Sequence, residues 1–228
     1  MCSIILSMFM FIYPCCNVHC EEDTIQEMKY NAFWMMDQLE GWCSHNKANV
    51  LMDIVLNVKP HVIVEIGVFG GKSLIPMAYV LKTLGQGIAY GIDPWEAGES
   101  IQGLEDPINK NWWAQLNHSQ ILHGLTQKID DFGLKPQIQL IQKSSMDASP
   151  IQDIDILHID GNHSEQASYQ DVLKWVPLVK KGGWIIFDDI NWVENGCLTT
   201  AKATQWLDKH CIKFREYSDS CVWGIWIK

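Results

Sequence analysis

HVIVEIGVFGGKS, residues 61–73, decides the architecture. Its first eight residues form a β-branched run with no polar alternation, the pattern of a strand buried on both faces. Gly67, Gly70 and Gly71 then let the backbone turn tightly. Ser73 opens an apolar helical run that Gly85 and Gly87 end, and Pro76 is tolerated only in the first turn of that helix. A buried strand, a glycine turn and a helix form one half of a right-handed crossover, which predicts a mostly parallel sheet with helices on both faces.

The rest of the chain extends this rhythm. Further strands are predicted at 88–92, 137–142, 154–159 and 184–187, with helices near 118–132 and 164–179 between them. After a helix near 198–208 come two more strand runs, 212–217 and 221–227, separated only by Ser218-Asp219-Ser220. Runs that close must pair as an antiparallel hairpin. Five parallel strands plus this hairpin give an α/β fold with seven strands. Upstream, residues 21–58 carry two helices, near 24–43 and 46–58, that cover an edge or a face of the sheet. The domain proper is expected over 59–228, with 96–119 inserted as a cap that carries Trp112, Trp113 and His118.

Composition narrows the function. The chain has 228 residues, 47% hydrophobic and 19% charged, with a formal net charge of −10. An acidic surface repels a phosphate backbone, so no nucleic-acid partner is expected. Of eight cysteines, Cys2, Cys15, Cys16 and Cys20 crowd the N-terminus, and no pair has Cys-x-x-Cys spacing. Residues 1–20 are apolar but shorter than a comfortable span of about 20 apolar residues, and no Lys or Arg precedes the apolar run. Two readings stay open: a signal or membrane-associated segment, with export or membrane association, or a cytoplasmic protein with a buried N-terminal stretch. A homo-oligomer is also open.

In doubly wound sheets ligands bind beyond the carboxyl ends of the strands. The first such loop, Glu65 to Gly71, lacks the Gly-x-Gly-x-x-Gly spacing of a pyrophosphate cradle, and Glu65 would oppose a phosphate while suiting a cationic amino group. Asp93, after the second strand, can accept both hydroxyls of a ribose, or it starts an Asp-Pro turn. Lys143 to Asp147, after the third, either touch an adenine edge or cap a helix. After the fourth and fifth strands, Asp160, Asp188 and Asp189 converge on one edge of the cleft. Three carboxylates so close take up a proton or are neutralised by a cation such as Mg²⁺, unless they only cap helices and bind water. His163 is either a general base or a solvent-facing side chain, and His158, inside its strand, reads as structural.

The segments VEIGVFGGKS (64–73), YGIDPW (90–95) and LHIDGNHSEQASYQDVLKWVPLVKKGGWIIFDD (157–189) together resemble the class I S-adenosylmethionine-dependent methyltransferases, most closely the macrocin O-methyltransferase-like branch. The resemblance covers about residues 50–228. It implies a Rossmann-like sheet and S-adenosyl-L-methionine as cofactor. It places Glu65, Gly67 and Gly71, with Gly70 and Ser73 of the same loop, at the methionine end of that cofactor. It also places Asp93 at the ribose, Ser145 near the adenine and Asp160 beside the cofactor. Asp160, Asp188 and Asp189 match the positions that bind Mg²⁺ in metal-using members. Those members often carry an acidic base two positions after the first ligand; here that position is Asn162, whose neutral amide cannot accept a proton at pH 7. Catalysis by Asp160, Asn162 and His163 therefore passes, on this reading, to His163 or to the metal. The expected reaction is methyl transfer to a hydroxyl of a small molecule. The rivals are a nicotinamide-dependent oxidoreductase and a non-catalytic protein that keeps the cofactor pocket.

Overall fold

The computed structural model describes residues 16–219 and 221–228. The segment 1–20, read as a signal or membrane-associated stretch, lies outside the described residues up to position 15, and from Cys16 the chain is helical. Among the described residues no helix is long and apolar enough to cross a membrane.

Helices α1 (Cys16–Met36) and α2 (His45–Val58) precede strand β1 (Val62–Ile66). Then follow α3 (Leu74–Leu84), β2 (Ile88–Asp93), the short α4 (Ala97–Ser100), α5 (Pro107–Gln115), α6 (His118–Asp131), β3 (Ile138–Gln142) and β4 (Ile154–Ile159). The chain continues with α7 (Glu165–Trp175), a 3₁₀ turn (Val176–Leu178), β5 (Val179–Phe187), β6 (Val193–Glu194) and β7 (Cys197–Leu198). It ends with α8 (Ala201–His210), β8 (Ile212–Ser218) and β9 (Val222–Ile227). The main sheet has seven strands in the order β3-β2-β1-β4-β5-β9-β8, parallel from β3 through β5, with β9 antiparallel to both of its neighbours. This is the predicted Rossmann-like sheet with its terminal hairpin.

Alternation along each strand builds two cores. Ile63, Ile156, Ile186 and Ile225 face one way, against α1, α2, α3 and α6. Val64, Leu157, Ile185, Phe187 and Trp226 face the other, against α7 and α8. Strand order reverses between β1 and β4, so the crevice for a ligand opens above their carboxyl ends.

Three elements depart from the sequence reading. Helix α1 stops at Met36, and the chain leaves through Gly41 at φ +130°, a conformation that L side chains rarely adopt; Leu39 stays buried outside the helix. Strand β5 begins at Val179, five residues earlier than 184, and runs through Gly182 at φ +81° with a register shift against β4. The β6–β7 hairpin went unread, although Asn195-Gly196, with φ +50° and +78°, is the residue pair a two-residue hairpin turn prefers.

Candidate active site

A cavity of about 540 Å³ lies over the ends of β1, β2, β4 and β5, within the usual range for small-molecule sites of about 300–1,000 Å³. Its floor is laced by backbone: Gly67 N–H donates to the Ile92 carbonyl at 2.9 Å and Asp160 N–H to the Ile66 carbonyl at 2.8 Å. Gly67 has φ +82°, and a Cβ there would lie 2.0 Å from the Asp160 carbonyl oxygen, so only glycine lets the two loops cross.

The glycine loop divides its labour. Gly67 and Ser73 line the cavity, whereas Gly70 and Gly71 do not. Gly70 packs on the Glu40 carbonyl and Gly71 on Leu125 of α6, so these two glycines seat the loop against its surroundings. Glu65, expected at the cofactor, is fully buried beneath the cavity wall and accepts a hydrogen bond from Ser73 Oγ at 2.5 Å. Strand alternation turns it toward the α2 face, where it holds Ser73 at the end of the glycine loop and does not itself line the cavity.

Asp93 lines the cavity but is already engaged. Its Oδ2 accepts from the N–H groups of Val68 (3.0 Å) and Phe69 (2.9 Å), and its Oδ1 accepts from Trp95 N–H (2.7 Å). Burial raises its pKa, against the lowering effect of these three bonds. A carboxylate has about four acceptor sites, so Asp93 keeps about one for a ribose hydroxyl where the sequence reading gave it two. Ser145 also lines the cavity and donates its Oγ to Asp171 of α7. Burial pushes Asp171 up to about 7, against the Ser145 hydrogen bond and the charge of Lys174. Asp171, another cavity residue, had no place in the sequence reading.

The expected trio Asp160, Asp188 and Asp189 is split. Donor atoms come within 4.8 Å of one another in two groups, His158–Asp160–Asp188 and Asp160–His163–Asp189, but not in the three carboxylates together. Lys47 of α2 enters the first of these groups. Its ammonium, 1% exposed, pairs with Asp188 Oδ2 and lies 3.5 Å from Asp160 Oδ2. Burial alone would push Lys47 down, but the charges of Asp188 and Asp160 outweigh it and hold the ammonium well above its usual value. Asp188 in turn is held far below the carboxylate range by Lys47 and His158, despite burial that acts the other way. Asp160 is pushed well up by burial and by the neighbouring Asp188 charge. Two unit cations 4 Å apart repel by about 4 kcal/mol in a partly screened site, and a divalent ion roughly doubles that. With Lys47 already against Asp188 and 3.5 Å from Asp160, these two carboxylates do not offer a Mg²⁺ ion an unpaired set of ligands, and no step is assigned to one.

His158, read as structural, joins the same network. It stands directly opposite Glu65 in the β1–β4 register, its Nδ1 3.5 Å from Glu65 Oε1 and its Nε2 3.2 Å from Asp188 Oδ2. Burial and Lys47 lower its pKa, but Asp188 and Glu65 dominate and raise it to about 9.

Facing the cavity, His163 Nε2 lies 3.0 Å from Asp189 Oδ2, and its ring packs 4.9 Å from that of Trp192. Thr199 Oγ1 donates to the His163 carbonyl at 2.6 Å and fixes its backbone. Asn162, one residue before, is a fastener. Its Nδ2 reaches the carbonyls of Gln102 (2.8 Å), Ser100 (3.3 Å) and Glu99 (3.4 Å), and its Oδ1 accepts from Ser164 N–H (2.9 Å). The catalytic place first considered for Asn162 thus gives way to a structural one: it ties the α4–α5 segment over the cavity. At the mouth, Trp42 stacks on Phe69 at 5.2 Å and meets Trp112 at 5.3 Å, and Trp113 closes the cluster against Phe69 at 5.7 Å.

Comparison with known proteins adds four findings. The chain is 35% identical over 133 residues to the uncharacterized protein R132 of Acanthamoeba polyphaga mimivirus, a match that takes in 55% of this chain and 50% of that protein. It is similar to the solved O-methyltransferase TomG of Streptomyces achromogenes in complex with SAM, with a TM-score of 0.60, 12% identity and coverage of 92% and 95%. It is also similar to an O-methyltransferase of Bacillus cereus in complex with SAH, with a TM-score of 0.60, 13% identity and coverage of 91% and 90%. At these identities the solved structures share the fold. The family described as "Methyltransferase domain" matches residues 64–190, more than half of the chain, from within β1 to the residue after Asp189. That stretch contains every loop of the cavity floor, and the chain belongs to this methyltransferase domain family.

Proposed function

We propose that the protein is an S-adenosylmethionine-dependent O-methyltransferase acting on a small-molecule hydroxyl. The observation that carries this reading is the His163–Asp189 pair, held at 3.0 Å on the wall of the same cavity that Asp93 and the glycine loop line. When bound, S-adenosylmethionine supplies a methyl group already activated by its positively charged sulfur.

The chain's part is to bind, orient and manage one proton. The carboxyl groups of Asp93, Asp160, Asp171, Asp188 and Asp189 outnumber the lining lysine, Lys72, and even with Asp188 paired to Lys47 they disfavour a pyrophosphate. Gly67 allows close approach at the floor, and the remaining acceptor site of Asp93 takes a ribose hydroxyl. With Nε2 donating to Asp189, His163 in its neutral form accepts the proton of the acceptor hydroxyl at Nδ1, and the Asp189 carboxylate stabilises the imidazolium that results. Asn162 keeps the α4–α5 segment seated, and with it the wall that excludes water.

Calorimetry with S-adenosylhomocysteine and with NAD⁺ tests the cofactor reading. Micromolar binding of the first and none of the second is expected. Affinity for NAD⁺ alone would return the protein to the oxidoreductases. Incubation with methyl-labelled cofactor and a panel of small phenols, sugars and hydroxy acids then tests turnover.

A further inference from the structure

Lys47 is placed against two penalties. It is 1% exposed, and it lies in the first turn of α2, where the helix dipole disfavours a cation. A charged lysine persists there only against compensating negative charge. That charge comes from Asp188, in direct contact, and from Asp160 at 3.5 Å, carried by the loops after β5 and β4. The ammonium thus stands between two of the carboxylates that the sequence reading gave to a divalent ion. It arrives from a helix upstream of residue 64, where the family match begins.

We propose that the Lys47 side chain is the resident cation of this site, built into the fold in place of a divalent metal, so that the protein holds its cofactor and acceptor without one. The clause on cofactor and acceptor rests on the methyltransferase reading; the assignment of the cation does not. Lys47 neutralises Asp188 and leaves Asp160, 27% exposed, on the cavity wall. The same contact ties α2 to the ends of β4 and β5, so the charge that settles the acidic cluster also fixes its position.

The test uses the full chain with Mn²⁺ alone as probe, followed by electron paramagnetic resonance. Wild-type protein, stripped with a chelator, is expected to show no saturable Mn²⁺ binding below millimolar concentration and to keep its melting temperature when Mn²⁺ is added. Lys47→Gln is expected to bind one Mn²⁺ at least ten-fold more tightly than wild type and to lose that gain when Asp160→Asn is added. Lys47→Met, which removes the charge but keeps an apolar stem, serves if Lys47→Gln does not fold, and Lys47→Arg, which retains the charge, is expected to behave as wild type. One tightly bound Mn²⁺ in wild type, with affinity falling ten-fold in Asp160→Asn, would overturn the assignment. So would a folded Lys47→Gln protein that gains no affinity. Binding of S-adenosylhomocysteine is measured on the same stripped samples. A wild type that takes up neither Mn²⁺ nor S-adenosylhomocysteine supports the resident cation while removing the methyltransferase reading.

Discussion

His163 and Asp189 form an ion pair in which Nε2 lies 3.0 Å from Oδ2, on the cavity wall and partly open to solvent. Burial alone would lower the histidine pKa, but the Asp189 hydrogen bond and the charges of Asp189, Asp160 and Asp188 outweigh it, so the value stands above the ordinary 6.5. A base must be neutral to act, so methyl transfer should rise with pH through that raised value. Asp189→Asn should move the acid limb to lower pH and reduce the plateau, while His163→Ala should cost about 10²–10⁴-fold in kcat. Stability runs the other way. A pKa raised on folding contributes stability below the unfolded value of about 6.5 that is lost as pH rises through the folded value. Rate profiles and urea melts across pH 5.5–9 read both limbs, and a wild-type rate that falls with rising pH across that range would remove His163 as the base.

Asn162 separates two roles cleanly. As a fastener it offers N–H groups to three carbonyls of the α4–α5 segment. Asn162→Ala should cost about 1–2 kcal/mol and raise the cofactor KM several-fold. Asn162→Asp, which restores an acid at this position, should be the worse variant, because a carboxylate would face three carbonyl oxygens. Limited proteolysis across residues 97–115 should quicken in both. Higher activity in Asn162→Asp would instead reinstate a base there.

Gly67 and Gly85 both have positive φ, yet only one is crowded. A Cβ at Gly67 would meet the Asp160 carbonyl oxygen at 2.0 Å, whereas at Gly85 nothing lies within 4 Å. Gly85→Ala should therefore cost about 1 kcal/mol from backbone conformation alone. Gly67→Ala should cost more than about 3 kcal/mol and abolish S-adenosylhomocysteine binding, because the loops after β1 and β4 can no longer cross. Thermal melts and calorimetry on the two variants give the comparison.

Asp155 anchors the start of β1. Its Oδ2 accepts from the N–H groups of His61 and Val62 at 2.8 and 2.9 Å, and its Oδ1 from Lys180 Nζ at 2.8 Å. Burial, the largest single influence, acts to raise its pKa, but these bonds together outweigh it and lower the value. A carboxylate depressed on folding contributes stability above its unfolded value of about 3.9 that is lost as pH falls through the folded value. Asp155→Asn should destabilise by about 1 kcal/mol at pH 7, with the difference from wild type closing below about pH 4 in acid melts.

The sheet was legible because its signal is local: 61–68, 154–159 and the closing hairpin each declare themselves by β-branched content and by distance to the next turn. The acidic loops were legible for the same reason, since residues after strands must meet at one end of a parallel sheet. Two of the site residues that were missed lie on helices. Lys47 shares the buried stripe of α2 with Leu51, Ile54 and Val55, and Asp171 shares that of α7 with Ser168, Val172 and Trp175. A charge on an apolar stripe was the available signal, and it pointed to a buried partner without naming it. The roles of Glu65 and His158 were hidden by parity: both alternate toward the α2 face of the sheet, and only the register showed that they stand opposite each other.

The ring cluster at the mouth joins three stretches of chain. Trp42 comes from the segment after α1, Phe69 from the glycine turn, and Trp112 and Trp113 from α5, with indole centroids 5.0–6.0 Å apart. Chromophores this near share their excited states, so their near-ultraviolet dichroism and emission are collective properties of the cluster. The molecule thus carries an unlabelled optical report on how these three stretches pack against one another, readable on adding any ligand that disturbs them.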